Sequence, residues 1–499
     1  MSNEQKTDKN VDKPLVLCPR TSSMVDGFLA DDVLVRRILL ACGSPVNVLF
    51  PQSVAANVKS FEDVLAAHNL KGSLYFAHKS NQSHSLLRQM AVTALRADVA
   101  SIEELRHALS CGFTGSRLEA TGPKNAEFLY LCLLHSVVVN VDSLQELDDI
   151  IALKKSLALT GKVRILLRLC GFGASCAQVL AKESRFGIRR SDAPRALAKV
   201  VEQSADVELL GFAFHLDSTS LDERLVAVEN CVAIFDDAVN LGLEPCVLNI
   251  GGGFRINYLA EEEDWNQYMT AMKQAVLGTG PQITWQNNFF GLSAHTGTLH
   301  GKLNSYGYYE PNPGAGFLSD LLNSELPSYG NQKLASVLRD NMIELWLEPG
   351  RSLLDQSGVT LARVNSVKIS SAGDMLVALN MKRQDIAFLD QEVFVDPILV
   401  ACKSTEWKPK PVYFTGDLCL ESDLIFRHKV YLPSVPQHGD IMAFVNTAAY
   451  MMDFSATNSI MQPPARRVAA VQDNNSFTWM LDEQYTPVWQ FYDRRSTCS

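Results

Sequence analysis

The chain has 499 residues, 47% of them hydrophobic and 20% charged, with a formal net charge of −10. That length suits a large barrel plus a second domain with a sizeable core, and an acidic chain without a basic stripe argues against nucleic acid as a partner. No apolar run is long enough for a membrane span, and eleven scattered cysteines without Cys-x-x-Cys pairs or a secretory signal point to free thiols in a reducing cytoplasm.

Residues 1–14 are polar and are expected to form a disordered tail, and the closing DRRSTCS looks similarly loose. Apolar, helix-compatible stretches follow, ending in the strand-like Val46-Asn47-Val48-Leu49-Phe50. Further strand candidates are 73–77, 137–141, 163–168, 209–215 and 246–250. Amphipathic stretches at 85–95, 101–110, 125–135, 143–159, 193–203 and 220–241 lie between them. Alternation at this spacing predicts βα units and a parallel sheet, and the number of repeats fits a (β/α)8 barrel over 46–355. Residues 256–340 break the rhythm with an acidic run and an aromatic, Gly- and Pro-rich segment. This reads as an insertion between two barrel strands: a lid, a binding loop, an interface piece or a packed surface excursion. Residues 342–347 resume the barrel. From 356 to 499 short strands punctuated by Gly, Pro and Asp predict a predominantly β domain, with segment 15–45 expected to pack on it.

Lys79 follows the strand-like Gly72-Ser73-Leu74-Tyr75-Phe76-Ala77. A lysine at the end of a buried strand is costly unless it is neutral, paired or covalently used. A Schiff base with an aldehyde cofactor resolves this, because desolvation lowers the amine's pKa and makes it nucleophilic. A surface lysine just past a strand is the plain alternative. Leu248-Asn249-Ile250 runs into Gly251-Gly252-Gly253, where backbone N–H groups approach an anion closely, or which is simply a tight βα turn. In Glu348-Pro349-Gly350-Arg351 the guanidinium suits a phosphate and the carboxylate a protonated ring nitrogen; a local ion pair explains the same residues. His215 ends a strand and suits stacking on a planar ring, with the Ser218 hydroxyl near enough to hold a phosphate, although a strand-end His is often structural. Cys419, flanked by Gly and acids in the turn 416–423, is a candidate for proton transfer, against the usual role of free cysteines as small buried hydrophobes. Tyr450 follows a strand and offers its hydroxyl to a phosphate or is an ordinary half-buried tyrosine.

In order, these stretches resemble the fold-type III pyridoxal-phosphate enzymes, the ornithine/arginine/diaminopimelate decarboxylase group related to alanine racemase. Phe76-Ala77-His78-Lys79-Ser80-Asn81 is similar to the family's Tyr-Ala-x-Lys-x-Asn, with one aromatic exchange. Asp98-Val99-Ala100-Ser101 with Glu104, Val141-Asp142-Ser143 with Glu146-Leu147, Arg168, and Ser184-Arg185-Phe186-Gly187-Ile188 are similar to further barrel motifs. His215 with Ser218, the triple glycine, Glu-Pro-Gly-Arg, the cysteine turn and Ala449-Tyr450 follow in family order. The resemblance covers about residues 45–255 and 342–470.

The resemblance implies an alanine-racemase-like barrel holding pyridoxal 5′-phosphate, a C-terminal β domain, and a head-to-tail homodimer with active sites at the interface. It implies that Lys79 binds the cofactor's aldehyde, His215 stacks on the ring and Glu348 pairs with its nitrogen. Ser218, Gly252, Gly253, Gly350, Arg351 and Tyr450 would hold the phosphate, with Asp98 and Arg168 also at the cofactor. Cys419 would face the partner's Lys79 and protonate the decarboxylated substrate. A carboxylate at 348, where alanine racemases carry arginine, favours amino-acid decarboxylation over racemisation. A racemase or epimerase on the same fold is the alternative, as is a non-catalytic regulatory homologue, against which the joint presence of Lys79, Glu348, Arg351 and Cys419 argues.

Four departures bear on the substrate. Leu420 stands where the family places an acid after the cysteine, although Glu421 and Asp423 follow. Asp396 precedes Pro397-Ile398-Leu399 where diaminopimelate decarboxylases carry an arginine, which argues against meso-diaminopimelate. Asp396, Glu421 and Asp423 are the substrate-facing candidates, with Asp396 or Glu421 as the acid that would receive a distal amine. Asp217 replaces a usual glycine beside Ser218, and the segment after Tyr450 departs from the family's Asn-rich stretch. The long insertion resembles that of a divergent bacterial branch whose members often serve specialised biosynthetic pathways.

Overall fold

The computed structural model describes residues 14–173, 184–216, 218, 220–306, 308–401, 409–474 and 476–487. Most of the expected tail at 1–14, the closing 493–499 and Asp217 lie outside the described residues.

The chain opens with α1 (Ser23–Ala30) and α2 (Asp32–Cys42). Each starts on a side-chain cap: Val25 N donates to Ser22 Oγ at 3.3 Å and Leu34 N to Asp31 Oδ1 at 3.0 Å. Strand β1 (Val46–Leu49) follows, then α3 (Ser53–Ala67), β2 (Gly72–Ala77), α4 (His84–Ala91), β3 (Arg96–Val99), α5 (Ile102–Ser110), β4 (Leu118–Ala120), α6 (Ala126–Leu134), β5 (Val138–Val141), α7 (Leu144–Ser156) and β6 (Val163–Cys170). Next come β7 (Ile188–Arg189), α8 (Ala193–Glu202), β8 (Val207–Ala213), α9 (Leu221–Asn240) and β9 (Val247–Asn249). The stretch before the last barrel strand holds α10 (Glu262–Val276), the hairpin β10 (Leu292–His295) and β11 (Thr298–Gly301), α11 (Ala315–Asn323), the short pair β12 (Glu325–Leu326) and β13 (Gln332–Lys333), and α12 (Leu334–Asp340). β14 (Glu344–Leu347) then completes a parallel sheet in the order β5-β4-β3-β2-β14-β9-β8-β6, and pairing of β5 with β6 closes it into an eight-stranded barrel.

The sequence motifs around Asp98 and Asp142 fold as helix starts. Glu104 N donates to Ser101 Oγ at 3.1 Å while its carboxylate takes Ala100 N at 2.7 Å. Ser143 and Glu146 repeat the arrangement with Asp142 N. These reciprocal caps fix the strand-to-helix turns and hold the strand-end residues in place.

The second sheet comprises β15 (Gly358–Ile369), β16 (Met375–Leu379), β17 (Ile398–Leu399), β18 (Lys410–Thr415), β19 (Val430–Leu432), β20 (Ile441–Val445), β21 (Arg466–Asp473) and β22 (Ser476–Leu481). It also takes in β1, which runs antiparallel to β15 and parallel to β21. This corrects the expectation that the barrel begins at Val46. All four residues of β1 are buried, and a strand buried on both faces shows no alternation to tell one sheet from another. α1 and α2 pack their apolar faces (Val25, Phe28, Val35, Ile38) on this sheet.

The stretch 256–340 divides into two parts. Phe317, Leu318, Leu321, Leu322, Val337 and Leu338 of α11 and α12 join the barrel's core, so these helices supply the crossover that parallel β14 requires. Residues 256–314 lie against the second domain instead, with Tyr258, Tyr268, Met272 and Ile283 in one core with Val377, Leu379, Phe394 and Phe414. Trp265 stacks on Tyr308 with ring centroids 3.7 Å apart.

Candidate active site

Every barrel strand delivers a polar side chain to the same end. Lys79 stands in the short 3-10 turn after β2, Asp98 in β3, Glu119 in β4, Asn140 in β5, Arg168 in β6, His215 just past β8, Asn249 in β9 and Glu348 just past β14. The C-terminal end of a barrel's strands is where this fold places its chemistry. Lys79 is exposed in the open mouth. Burial pulls its amine down, but the negative field of Asp98, Tyr450 and Glu348 outweighs this and leaves it above its ordinary value. This reverses the expected lowering by desolvation: two barrel acids and the Tyr450 hydroxyl of the second domain face one lysine and favour the ammonium form.

Asp98 is buried and accepts from Thr121 Oγ1 at 2.5 Å; burial, with Glu348 adding, pushes it up to about 8. Glu348 accepts from Asn249 Nδ2 at 2.8 Å, and its Oε2 lies 3.9 Å from His215 Nδ1. Burial drives the His215 imidazole well below its ordinary range, and the charges of Lys79, Arg168 and Arg224 push the same way, so the ring is neutral. His215 Nδ1 accepts instead from Gly252 N at 3.3 Å. Arg168 pairs with Asp142 at 3.6 Å, and its guanidinium lies over the Phe186 ring.

One side of the mouth is built for an anion. Gly251 and Gly253 have φ of +68° and +91°, and a Cβ at Gly252 would sit 2.6 Å from the Glu348 carbonyl oxygen. Under this loop lies Arg224, fully buried; Nη1 donates to Ile250 O at 2.9 Å while Nε and Nη2 have no partner among the described residues. Burial alone pushes it down to about 10. Arg351 donates to Tyr258 Oη at 2.6 Å and Gln391 Oε1 at 2.9 Å, and its guanidinium lies within 5 Å of the Tyr306 and Tyr450 ring centroids. Tyr450 crosses from the second domain, its backbone N–H bonded to Ser80 O at 2.7 Å beside Lys79, and a Cβ at Gly350 would meet its hydroxyl at 2.8 Å. Ser218 Oγ accepts from Ser220 N at 3.1 Å, at the entry to α9. Two guanidinium groups, a glycine loop and free hydroxyls form a donor set that fits a phosphate monoester, and the orphaned Arg224 nitrogens mark a positive end without a counter-ion.

The remaining candidates lie elsewhere. Cys419 is exposed at the tip of its turn with Leu420 and Glu421, and no hydrogen bond or charge interaction links it to Lys79 of its own chain among the described residues. Asp423 is buried and spent on the turn itself, accepting from Leu418 N and Arg383 N, each at 2.9 Å. Asp396 is buried too, accepting from Leu17 N at 2.9 Å with His428 Nε2 at 3.3 Å. Neither acid presents an oxygen to a substrate, which removes both from the expected substrate set and leaves Glu421. The structure adds residues that sequence reasoning missed. Glu119, Asn140 and Asn249 line the barrel floor, Arg224 underlies the glycine loop, and Tyr258 and Tyr306 of the insertion grip Arg351. Glu119, in a strand of three residues, and Arg224, one charge on an amphipathic helix, carried no sequence signal.

Residues 52–284 match the pyridoxal-dependent decarboxylases over their pyridoxal-binding domain. Residues 52–284 carry that family's pyridoxal-binding domain. An uncharacterised protein of Sinorhizobium fredii is 28% identical over 86% of this chain and 88% of its own length. The diaminopimelate decarboxylase of Bacillus subtilis is 25% identical over 89% of this chain and 90% of its own. In fold, the chain is similar to the Helicobacter pylori diaminopimelate decarboxylase complexed with L-lysine, with a TM-score of 0.66 at 17% identity over 93% of this chain and 99% of that one.

Proposed function

We propose that this protein releases carbon dioxide from the α-carbon of an amino acid or amino-acid-derived substrate, using pyridoxal phosphate held at the barrel mouth. The observation that carries this is Glu348, a buried carboxylate oriented by Asn249 beside the neutral ring of His215. Bound there, the cofactor supplies an electron sink for the pair left when the substrate carboxylate departs. Lys79 would provide the amine that holds its aldehyde, with Asp98 and Arg168 beside that amine. His215, neutral, would lie against the ring, and Glu348 would keep the ring nitrogen protonated, which a racemase-type arginine would not. Ser218, Gly252, Gly253, Gly350, Arg351 and Tyr450 would hold the phosphate.

The proton that replaces carbon dioxide comes from Cys419 of a second copy of the chain. Exposed Leu420, Phe454, Ile460 and Met461 on the turn and on the segment after Tyr450 support burial of this region in a homodimer. Glu421 borders a cavity of about 350 Å³ with Trp285, Asn288 and Arg427, and reads the far end of a substrate that carries a distal amine. Among the described residues no helix is long and apolar enough to cross a membrane, and the free thiols are in keeping with a cytoplasmic setting. A panel of amino acids tests the proposal by carbon dioxide release against loss of optical rotation. Gas evolution that disappears in Lys79→Ala is expected; racemisation without gas would make the protein a racemase, and full activity in Lys79→Ala would defeat both readings.

A further inference from the structure

Beneath Glu348 the barrel holds a second, deeper acid. Glu119 is fully buried. Asn140 Nδ2 donates to its Oε1 at 2.8 Å, and Asn249 Nδ2 lies 3.0 and 2.9 Å from its two oxygens. The same Asn249 nitrogen reaches Glu348 Oε1 at 2.8 Å. One amino group with two protons thus faces three carboxylate oxygens from two acids. No cation pairs with Glu119 among the described residues. The groups that face it are Tyr75 on β2, Asp98 on β3, Asn140 on β5, Asn249 on β9 and Glu348 beyond β14, which are neutral or acidic.

Two ionised carboxylates cannot share one amide in a dry interior without a cation. Glu348 opens toward the mouth, where Lys79 and a protonated ring nitrogen supply positive charge. Glu119 has no such relief, so the proton resides there.

We infer that Glu119 is a positioning residue, held as a neutral carboxylic acid, which through the shared Asn249 amide fixes Glu348 as the carboxylate for the cofactor's ring nitrogen. The inference rests on the proposed pairing of Glu348 with that nitrogen. It is tested first on the apoprotein, by infrared spectroscopy with isotopically labelled glutamate carboxyls. Buried glutamates among the described residues are Glu119, Glu146 and Glu348, and Glu146 is paired with Lys124 at 2.9 Å. A protonated-carboxyl band that persists through neutral pH in the wild type and is lost in Glu119→Gln is expected. In the loaded protein, ¹⁵N-labelled cofactor reports ring protonation. Glu119→Gln, neutral and of the same shape, retains the wild-type shift and cofactor affinity, whereas Glu119→Leu moves the shift toward the deprotonated ring and weakens binding about 10-fold. Absence of the glutamic-acid band in wild type overturns the inference even if Glu119→Gln fails to fold, as does a deprotonated ring in Glu119→Gln. Failure of the protein to bind pyridoxal phosphate would defeat the proposed function while the infrared result still decided the state of Glu119.

Discussion

The barrel mouth and the cysteine turn are both rich in acids, and they treat them in opposite ways. In the mouth Asp98, Glu119 and Glu348 are buried and bonded to Thr121, Asn140 and Asn249. At the turn Asp423 is consumed by backbone N–H groups, while Cys419, Leu420 and Glu421 are exposed. The first region is a finished binding surface within one chain. The second stands exposed, and under the proposed dimer its tip would gain a chemical role only against another copy's surface. Burial decides the difference: a desolvated acid must be bonded or protonated, whereas an exposed one is free to meet a substrate.

The contrast breaks most sharply by removing one residue from each side. Lys79→Ala and Cys419→Ala each lower turnover by roughly 10²–10⁴-fold. If the turn completes a second copy's mouth, mixing the two inactive variants restores roughly a quarter of wild-type activity, because a heterodimer carries one intact site. No recovery after subunit exchange would place Cys419 outside the reaction. Within the mouth, Glu348→Gln lowers carbon dioxide release by roughly 10²–10³-fold, the scale of removing one aimed electrostatic group, with cofactor content measured in parallel.

A third test separates the two environments by pH. Burial raises Asp98 from 3.8 to about 8, so the folded state holds a proton that the unfolded state gives up. The stabilisation from that proton is complete below the ordinary value and lost as pH rises through about 8. The melting temperature of apo Asp98→Asn should therefore gain on wild type as pH rises from about 4 to about 8. Glu421→Gln, exposed, should show no such trend. The smallest effect belongs to the insertion: Tyr306→Leu removes an aromatic face from Arg351, which costs about 0.5–2 kcal/mol in cofactor affinity, measured by titration.

The sequence already shows the barrel's strands wherever an apolar run has clear polar ends, as before Lys79 and before the triple glycine. Arg96–Val99 and Leu118–Ala120 are too short to stand out by pattern alone. β1 and α12 are misplaced for a different reason: their apolar residues are right for a core, but only tertiary pairing says which core. The candidate cofactor residues stand out in the sequence because their types and order are unusual together. Asp396 and Asp423 misled because an acid next to a turn looks the same whether its oxygens face substrate or a backbone N–H from a distant segment. Glu119 and Arg224 act through neighbours far away in sequence, and Glu119's meaning appears only when Asn249 is seen to join it to Glu348.

The most direct measurement is the absorbance spectrum of the purified protein before and after borohydride, followed by peptide mapping. The account predicts a band near the visible edge that disappears on reduction and leaves a pyridoxyl group on Lys79. A protein that stays colourless after incubation with pyridoxal phosphate, or a label on another lysine, would contradict it.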